Sequence, residues 1–408
     1  MTHSLLTPAR HPWLFAPDLQ RLFAVFAAAG AEMRVVGGAV RNALMGLPIS
    51  DIDAAVNRPP EAVEAVLQAA GIKTVRTGFA HGTLTAVLHG QGYEITSLRR
   101  DVSTDGRRAT VAFSDDWAED AARRDFTFNA IYAAADGGVF DYHGGVADAA
   151  AGLVRFIGVA EDRIREDYLR ILRFFRFYAQ FGRGDFDAEG VAACQVLATG
   201  MATLSRERVT QEFGKLLLAS QPLPALKAMQ EFAILPQVLP LTLDLDRLGR
   251  LLVLPEAVGC SLPVRLAALL PQDVLLPAVL VAALRLSVAE QNAVLALTTT
   301  SNLITNDSLP EALYRFGVAF CRGRLLMQKA DDAATPLAAL WPQLDNWRRP
   351  DFPLRGADLL AEGLEASPRL GQVLHAVEDW WIASGFTPNH AACRDEALRR
   401  WHNLPAAD

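Results

Sequence analysis

The spacing of apolar residues differs between the two parts of the chain. Up to about residue 157, short apolar runs and alternating stretches mix with helical patterns, whereas after about residue 160 a helical period dominates. The segment GTLTAVLHGQGYEITSL (82–98) alternates apolar and polar positions on both sides of a glycine-containing turn, which predicts a β-hairpin. The pattern therefore predicts an α+β protein, with a small mixed β-sheet first and a long all-helical part after it.

Glycine and proline mark the boundaries of the first elements. Proline is favoured at the start of a helix and glycine just after its end, so these residues bracket the periodic segments. The predicted elements are a helix over residues 1–30, a strand over 33–37, a helix over 38–46, a strand over 51–56 and a helix that starts at Pro59 and Pro60 and ends before Gly71.

Composition narrows the class of protein. The 408 residues are 51% apolar, which is typical of a folded globular protein. Their formal charge of −7 argues against a protein that coats nucleic acid over its whole surface. The cysteines lie far apart and form no CxxC pair, so we expect no zinc site and a reduced, cytoplasmic protein. The start has no signal-peptide pattern, and the most apolar stretch, 274–284, is too short to span a membrane.

The segment VVGGAVRNALMGLPISDIDAAV brings together residue types that bind phosphate and metal ions. In a strand, Asp51 and Asp53 would share one face, where two carboxylates repel each other unless a cation lies between them. Alone, such a pair is more typical of a solvated strand end. Gly37 and Gly38, however, allow backbone N–H groups to approach phosphate at a helix start, and Arg41 lies one turn further on. The combination favours a site for a nucleoside triphosphate and a metal ion.

A second candidate site lies on the helical segment RIREDYLRILRFFRF. Asp167, Arg170 and Arg173 recur at intervals of three and would share one helical face, while apolar residues fill most of the rest. One interpretation is an intrahelical ion pair on a solvated face. The other is a rigid carboxylate and guanidinium that offer acceptors and donors to a base, choosing C or A over G and U without a template.

The chain resembles the class II CCA-adding enzymes and bacterial poly(A) polymerases, a family of nucleotidyltransferases. GGAVRNALMGLPISDID is similar to the family's signature, and further motifs follow in the family's order and spacing. These are YEITSLRRDVSTDGRRATVAFSDDWAEDAARRDFTFNAIY (93–132), DYHGGVADAAAGLVRFIG (141–158), RIREDYLRILRFFRF (163–177) and SRERVTQEFGKLLL (205–218), with a weaker similarity at 352–374. The resemblance implies a nucleotidyltransferase head over 1–158, a helical neck that recognises the base over 159–222, a helical body over 223–345 and a helical, RNA-binding tail over 346–408.

The resemblance implies a role for each residue that matches a family motif. Asp51 and Asp53 would be catalytic and hold Mg²⁺, with Glu94 as a third carboxylate near the metal ions. The nucleotide-binding residues would be Gly37, Gly38 and Arg41 at the triphosphate, Arg124, Asp125 and Asn129 at phosphate, ribose and the turn that carries them, Asp167 and Arg170 at the base, and Arg173 and Arg176 towards phosphate or primer.

The implied reaction is template-independent addition of C, C and A to the 3′ end of tRNA. CTP and ATP would be the substrates, pyrophosphate the product and Mg²⁺ the cofactor, with no membrane and no obligate protein partner. The chain has Asn42 where the family usually has Asp, and Ala149 where leucine is common. We expect a local difference in packing from Asn42, without loss of activity, and a small loss of buried surface from Ala149.

Several alternatives stay open at this point. Within the family they are a poly(A) polymerase, a CC-adding enzyme and an A-adding enzyme. RTGFAHGTLTAV lacks the GRRF-like stretch of polyadenylating relatives, and the loop that CC-adding enzymes tend to lack is present at 99–116, with a mobile segment predicted at Gly106. Outside the family, a catalytically inactive RNA-binding protein would not need the whole residue set, and a small-molecule nucleotidyltransferase would not need the arginine-rich helix.

Overall fold

The computed structural model describes residues 2–105, 108–271, 276–299 and 303–403. It divides into two compact units, Met1–Leu241 with Pro277–Leu286, and Thr242–Leu276 with Ser287–Asp408. A mixed sheet lies in the first unit and helices make up most of the rest, so the α+β prediction is confirmed. The finer division into head, neck, body and tail stays a prediction.

The strands of the described residues all precede residue 142. They are β1 (Thr2–Leu5), β2 (Met33–Val36), β3 (Asp53–Val56), β4 (Lys73–Gly78), β5 (Thr83–Leu88), β6 (Gln91–Ser97), β7 (Arg99–Asp105), β8 (Arg108–Phe113), β9 (Ile131–Ala133) and β10 (Gly138–Asp141). Eight of them form one sheet in the order β1-β10-β9-β2-β3-β6-β5-β4, in which only β3 and β6 are parallel neighbours. β7 and β8 form a separate antiparallel pair.

The predicted hairpin is confirmed as β5 and β6. In β5 the buried residues Leu84, Ala86 and Leu88 alternate with half-exposed ones, as expected of a strand with one face in a core. The two-residue turn consists of His89 at φ 46° and Gly90 at φ 85°. Positive φ at both turn residues matches the right-handed twist of the strands, which is why glycine is suited to the second position.

The helix predicted over residues 1–30 is wrong at its beginning. Thr2–Leu5 forms β1 at the sheet edge, antiparallel to β10, and the helix occupies Pro17–Ala28. Three prolines between positions 8 and 17 interrupt helical hydrogen bonding, because proline has no N–H group. The free edge of β10 offers the first residues hydrogen-bond partners instead.

Two further expectations concern segments near the predicted site. The strand predicted over 51–56 begins at Asp53, so Asp51 lies in the segment that leads into it. Asp51 and Asp53 therefore do not share a strand face by alternation, although both line one cavity. The mobile segment predicted at Gly106 lies outside the described residues.

Helices cover the sheet and make up the remainder of the chain. Those before residue 242 are α1 (Pro17–Ala28), α2 (Gly38–Met45), α3 (Pro60–Ala69), α4 (Trp117–Ala122), α5 (Gly145–Ala151), α6 (Ala160–Glu166), α7 (Leu169–Phe181), α8 (Ala188–Leu197), α9 (Arg206–Leu217), α10 (Pro222–Glu231) and α11 (Leu235–Val238). Those after it are α12 (Leu245–Leu252), α13 (Leu262–Leu269), α14 (Leu276–Ala283), α15 (Val288–Thr299), α16 (Leu309–Asp331), α17 (Leu337–Asp345), α18 (Gly356–Ala361), α19 (Pro368–Ala383) and α20 (His390–Asn403).

An aromatic cluster fixes α7 against the turn that precedes β9. The rings of Phe126, just before a short 3₁₀ turn, and Phe128, within it, lie 5.5 and 5.3 Å from the ring of Phe177 on α7. Phe181, one turn further along α7, lies 5.0 Å from Phe128. Burial of four aromatic side chains stabilises this junction strongly, since each removes a large apolar area from water. The polar face of α7 is thereby held in a fixed position.

The second unit has a core of its own. Trp381 on α19 is 2% exposed, and its indole N–H donates to the carbonyl of Pro388 at 3.0 Å. The rings of Tyr314 and Phe386 pack 5.6 and 5.0 Å from it. Across the described residues of both units, we find no helix that combines the length and the apolar character needed to cross a membrane.

Candidate active site

The turn between β2 and α2 requires glycine. Gly37 has φ 76° and ψ −124°, a backbone conformation that residues with a side chain rarely adopt. Its N–H group donates to the carbonyl of Ile131 at 3.1 Å, which ties the turn to β9. Gly38 begins α2 directly after it. Since the first N–H groups of a helix lack partners within the helix, this turn suits an anion such as phosphate.

Arg41, one turn into α2, is a buried cation whose partners are neutral. It is 7% exposed, and its guanidinium donates to Oδ1 of Asn129 at 2.5 Å and to Oδ1 of Asn42 at 2.9 and 3.1 Å. Within the described ranges no carboxylate lies at ion-pair distance from it. Burial, together with the charge of Arg176, lowers the pKa of Arg41 to about 10. The residue therefore stays charged at neutral pH and lacks a counter-ion of the protein's own.

The side-chain amide of Asn42 uses both its oxygen and its nitrogen in hydrogen bonds. While its Oδ1 accepts from Arg41, its Nδ2 donates to the carbonyl of Pro48 at 2.7 Å. An aspartate has no donor for that carbonyl. The amide thus connects Arg41 with the segment that leads to Asp51.

Asp125 and Asn129 join α7 to the same region. Nδ2 of Asn129 donates to Oδ1 of Asp125 at 3.0 Å, and Arg173 on α7 donates to Oδ2 of Asp125 at 2.5 and 2.7 Å. Burial by itself would raise the pKa of Asp125, but Arg173 and Asn129 hold it below its usual range. A continuous chain of hydrogen bonds therefore runs from Arg41 through the two side chains to α7.

Arg124 is held by a buried group that sequence reasoning missed. Asp120 is 1% exposed, and its Oδ2 accepts from Arg124 at 3.0 Å and from the hydroxyl of Tyr132 at 2.8 Å. Its Oδ1 accepts from Arg123 at 2.5 Å. Despite burial, these cations lower the pKa of Asp120 to about 2. The spacing of four between Asp120 and Arg124 is a signal from which the pair could have been predicted.

Asp53 lies at the start of β3, which runs between β2 and β6. Asp53 pairs with Val36 on one side and with Glu94 on the other in the strand register. The side-chain hydroxyl of Ser50 donates to Asp51 at 3.0 Å. Burial, and then repulsion by Glu94 and Asp51, raise the pKa of Asp53, although Arg124 opposes this. Repulsion of this kind is relieved when a cation binds.

The carboxylates do not form a complete metal site. Among the described residues, no three acidic, histidine or cysteine side chains are arranged to hold a metal ion by themselves. A hard cation such as Mg²⁺ commonly takes one or two protein carboxylates and completes its shell with water and substrate phosphate. Asp51 and Asp53 fit that donor set, since both line a cavity with room for a phosphate chain.

A cavity of about 400 Å³ brings most of the predicted residues together. Its volume lies in the range of pockets that take small-molecule ligands, about 300–1,000 Å³. Of the predicted residues, those that line it are Gly37, Gly38, Arg41, Asp51, Asp53, Arg124, Asp125, Asn129, Arg173 and Arg176, while Glu94, Asp167 and Arg170 do not. Residues that were not predicted also line it, namely Ala39, Asn42, Ser50, Phe177 and Gln180.

The geometry predicted for Asp167 and Arg170 is wrong. Asp167 lies between α6 and α7, in extended backbone, so it does not share a helical face with Arg170. Its Oδ1 accepts from the N–H of Leu169 at 3.1 Å, and its Oδ2 accepts from Arg208 of α9 at 2.7 Å. Arg170 pairs with Glu166 at 2.5 Å instead. Asp167 is excluded from the helix because its carboxylate satisfies a backbone N–H at the helix start.

Two residues of α9 support this region and were not predicted. Arg208 is the partner of Asp167, and Glu212, which is 6% exposed, lies 2.9 Å from Nε of Arg176. The spacing along α7 could have revealed Gln180, because it follows Arg176 by four positions. Nothing local in the sequence links α9 to Asp167 or to α7, so neither ion pair was predictable from spacing.

Comparison with known proteins gives consistent matches. A family model described as "Poly A polymerase head domain" matches residues 33–155, and one described as "Probable RNA and SrmB- binding site of polymerase A" matches 185–245. Human "CCA tRNA nucleotidyltransferase 1, mitochondrial" is 35% identical over 394 residues, covering 91% of this chain and 88% of that protein. The "CCA-adding enzyme" of Lacticaseibacillus paracasei is 33% identical over 373 residues, covering 89% and 90%.

A solved structure matches along nearly the whole chain. The crystal structure of the Bacillus stearothermophilus CCA-adding enzyme in complex with CTP superposes with a TM-score of 0.75 at 25% identity, covering 94% of this chain and 98% of that one. The similarity therefore includes the fold as well as the motifs. Because the human relative is mitochondrial by name, the cytoplasmic location expected from the sequence stays a prediction.

Proposed function

The chain belongs to the family of CCA tRNA nucleotidyltransferases, and from that premise we propose that it adds C, C and A in turn to the 3′ end of tRNA. CTP and ATP are the nucleotide substrates, and each step transfers one nucleotide to the terminal hydroxyl and releases pyrophosphate. No nucleic acid template is needed, because protein side chains select the base.

The observation that carries this proposal is the uncompensated charge of Arg41. Three of the four guanidiniums that line the 400 Å³ cavity have a carboxylate partner, namely Arg124, Arg173 and Arg176. Arg41 has amide oxygens and the faces of Phe128, Phe177 and Phe181 as its neighbours, and among the described residues no carboxylate lies at ion-pair distance from it. A buried cation without a counter-ion is costly unless a ligand supplies the negative charge. A triphosphate beside the glycine turn supplies it.

Asp51 and Asp53 would hold Mg²⁺ together with the triphosphate, and Glu94 is proposed as a third carboxylate close to it. The raised pKa of Asp53 supports this assignment, because repulsion among carboxylates disfavours their joint ionisation without a cation. When bound, Mg²⁺ supplies activation of the terminal hydroxyl and neutralisation of the charge that develops on the leaving pyrophosphate.

The protein's own side chains orient the reacting groups. Gly38 and Arg41 bind the triphosphate, and the chain of hydrogen bonds through Asn129 and Asp125 fixes Arg41 relative to α7. Arg173 carries that chain into the neck, where the base is held. Positioning of this kind contributes much of the rate in phosphoryl transfer, since there is little covalent chemistry for the protein to perform.

Base selection is proposed for Asp167 and Arg170. Cytosine and adenine both carry an exocyclic amino group, which donates to a carboxylate, whereas uracil and guanine carry a carbonyl at the matching position. An ionised carboxylate only accepts hydrogen bonds. Two lone pairs of the Asp167 carboxylate remain after it accepts from Leu169 and Arg208. Arg170 is proposed to donate to the acceptor on the same edge of the base once its guanidinium leaves Glu166 and the carbonyl of Arg163.

A second candidate is a poly(A) polymerase, favoured by the family model whose description carries that name. Both reactions share the site and differ in the number and kind of nucleotides added. The test is incubation of the purified protein with Mg²⁺, labelled CTP and ATP, and tRNA that lacks its last three nucleotides. Three added nucleotides that end in A support CCA addition. A long A tail supports the polymerase, and arrest after two C residues supports a CC-adding enzyme.

A further inference from the structure

A small cavity in the second unit lies next to a buried charge that has no partner. The cavity has a volume of about 230 Å³ and is formed by α16 and the residues just before it. Arg324 of α16 lines the cavity and is 5% exposed. Its Nε has no hydrogen-bond partner, and within the described part of the chain no carboxylate lies at ion-pair distance from its guanidinium.

Such a residue is unusual because burial of an unpaired guanidinium is unfavourable. Burial lowers the pKa of Arg324, and the partial opposing effect of Asp331 does not restore it. The neighbouring Arg315 has partners by contrast, since it donates to Glu311 at 2.8 Å and to Asp379 at 2.7 Å. The unsatisfied donor of the cavity is therefore Arg324, and it lacks a hydrogen-bond acceptor.

An aromatic surface lies in the same cavity. Phe316 is 58% exposed, and its ring centroid lies 5.0 Å from that of Phe320 at an interplanar angle of 45°. Between them, Gly317 has φ 78° and ψ 169°, which interrupts the helix at this point. A large aromatic ring at the surface beside an unpaired donor is an arrangement that stacks on a flat ligand and bonds its edge.

The size of the cavity narrows the ligand. Pockets that take a whole small molecule are usually about 300–1,000 Å³, and this cavity is smaller. Part of a larger ligand, inserted from solvent, fits better than a free nucleotide. A nucleic acid offers one group that is flat, partly apolar and carries acceptor atoms on its edge, namely an unstacked base.

We propose that this cavity binds one unpaired base of the RNA substrate, stacked on Phe316 and accepting a hydrogen bond from Arg324. The inference rests on the proposed function, because RNA is the ligand if the chain acts on tRNA. Stacking of one base on an aromatic side chain strengthens RNA binding, so the site adds affinity for tRNA and takes no part in the chemical step.

The test measures binding of labelled tRNA that lacks its 3′ CCA by the full-length protein at one fixed salt concentration. Phe316→Ala should raise the Kd for tRNA about tenfold, the equivalent of one stacked base. Phe316→Tyr should restore binding, since its ring also stacks. Leu360→Ala is the matched control, because Leu360 is an apolar residue of the same unit that is 45% exposed.

A second variant separates binding from folding. Arg324→Met should raise the Kd for tRNA while the thermal unfolding temperature stays equal or rises, because an unpaired buried charge is replaced by an apolar side chain. A purely structural Arg324 would give the opposite pattern, with lower stability and unchanged tRNA binding.

Failure of this site is distinguishable from failure of the proposed function. If the wild-type protein extends RNA but Phe316→Ala binds tRNA as tightly as the wild type, the site assignment is wrong. It is equally wrong if sedimentation shows a dimer of the wild type that Phe316→Ala abolishes, since the surface then binds a second copy. If the wild type neither binds nor extends tRNA, the proposed function fails and the RNA site with it.

Discussion

Charge is balanced differently at the two ends of the proposed nucleotide site, which are the triphosphate end at Arg41 and the base end at Asp167 and Arg170. At the triphosphate end, Arg41 is buried with amide oxygens as its partners. At the base end, Arg170 pairs with Glu166 and Asp167 pairs with Arg208. The protein thus leaves a charge open in the first region and neutralises both charges in the second.

The difference matches the chemistry of a nucleotide. A triphosphate is an anion and can neutralise a buried guanidinium, whereas a base is neutral and cannot neutralise either member of the Asp167 and Arg170 set. A protein that binds both groups must therefore supply counter-charges at the base end from its own residues. A buried charge without an ion pair can therefore mark where the charged part of a ligand binds. A complete ion pair can mark where the neutral part binds.

The largest effect on activity is expected at the carboxylates of the triphosphate end. Asp53→Ala should lower the rate of CMP incorporation by about 1,000-fold or more, since loss of a metal ligand removes several kcal/mol of transition-state stabilisation. Binding of tRNA should change little. The measurement is single-turnover incorporation with Mg²⁺, and Asp162→Ala, which removes an exposed carboxylate that pairs with Arg165, is the control. Normal incorporation by Asp53→Ala would exclude Asp53 as a metal ligand.

Arg41, which has no carboxylate partner, and Arg173, which has one, test this difference directly. Arg41→Met should raise the KM for CTP and for ATP alike by about 10- to 100-fold, the value of a lost charge-assisted hydrogen bond. Its free energy of unfolding should fall by less than that of Arg173→Met, because it leaves the neutral Oδ1 of Asn129 without a donor but no buried counter-ion. Arg173→Met, in contrast, leaves Asp125 buried without its cation and should lose about 3 kcal/mol of stability.

Steady-state kinetics and chemical denaturation of the same two variants make this measurement. The comparison is wrong if Arg41→Met unfolds as readily as Arg173→Met, since Arg41 would then be a structural residue. It is also wrong if the KM for CTP does not change in Arg41→Met.

At the base end, Arg208 is expected to affect the selection of the nucleotide more than the rate of its incorporation. Arg208→Gln frees one oxygen of Asp167 from its ion pair, so the carboxylate is less well oriented towards an amino group. Discrimination of CTP over UTP should fall by about tenfold, the equivalent of one charge-assisted hydrogen bond. Competition between the two labelled nucleotides measures the ratio.

Arg206→Gln is the control for this variant, because Arg206 lies on the same helix and donates to the carbonyl of Gln237 at 3.4 Å. Equal discrimination in Arg208→Gln and wild type would show that Asp167 does not depend on Arg208. Arg208→Lys should recover part of the selectivity, since it restores the positive charge without the fork of two donors.

The smallest effect concerns stability and pH. Because the pKa of Asp53 is raised in the folded protein, the folded state holds its proton more tightly than the unfolded state, and stability falls as pH rises through the carboxyl range. Asp53→Asn should therefore be more stable than the wild type at pH 7, by at most about 1 kcal/mol, because solvent screens the repulsion at a side chain that lies at the exposed start of β3. The difference should vanish below the ordinary pKa of aspartate, about 3.9.

Thermal unfolding at pH 3 and pH 7, with and without Mg²⁺, measures this effect. Mg²⁺ should raise the unfolding temperature of the wild type at pH 7 more than that of Asp53→Asn, because it relieves the same repulsion. An Asp53→Asn variant less stable than the wild type at pH 7 would contradict the assignment.

The residues of the triphosphate end could be predicted from the sequence because they lie close together along it. The glycine turn, Arg41 and the aspartates fall within 17 positions, and local geometry carries them into one cavity. The hairpin at 83–97 was also predictable, since alternation and a glycine turn are local signals.

The base end could not be predicted in the same way. Its partners come from separate helices, and Arg208 lies 41 positions after Asp167. Helical spacing assigned Asp167 to α7, but the carboxylate caps the backbone before that helix, a choice that depends on competition between local hydrogen bonds. For a similar reason β1 was missed, because its pairing depends on the edge of β10, far along the chain.

A crystal structure of the protein with CTP and Mg²⁺ would test whether the glycine turn, Arg41 and the two aspartates form the triphosphate site. This assignment predicts the triphosphate against Gly38 and Arg41, a cation between Asp51 and Asp53, and the amino group of cytosine at Asp167. A triphosphate bound away from Arg41, with no cation at the two aspartates, would contradict it.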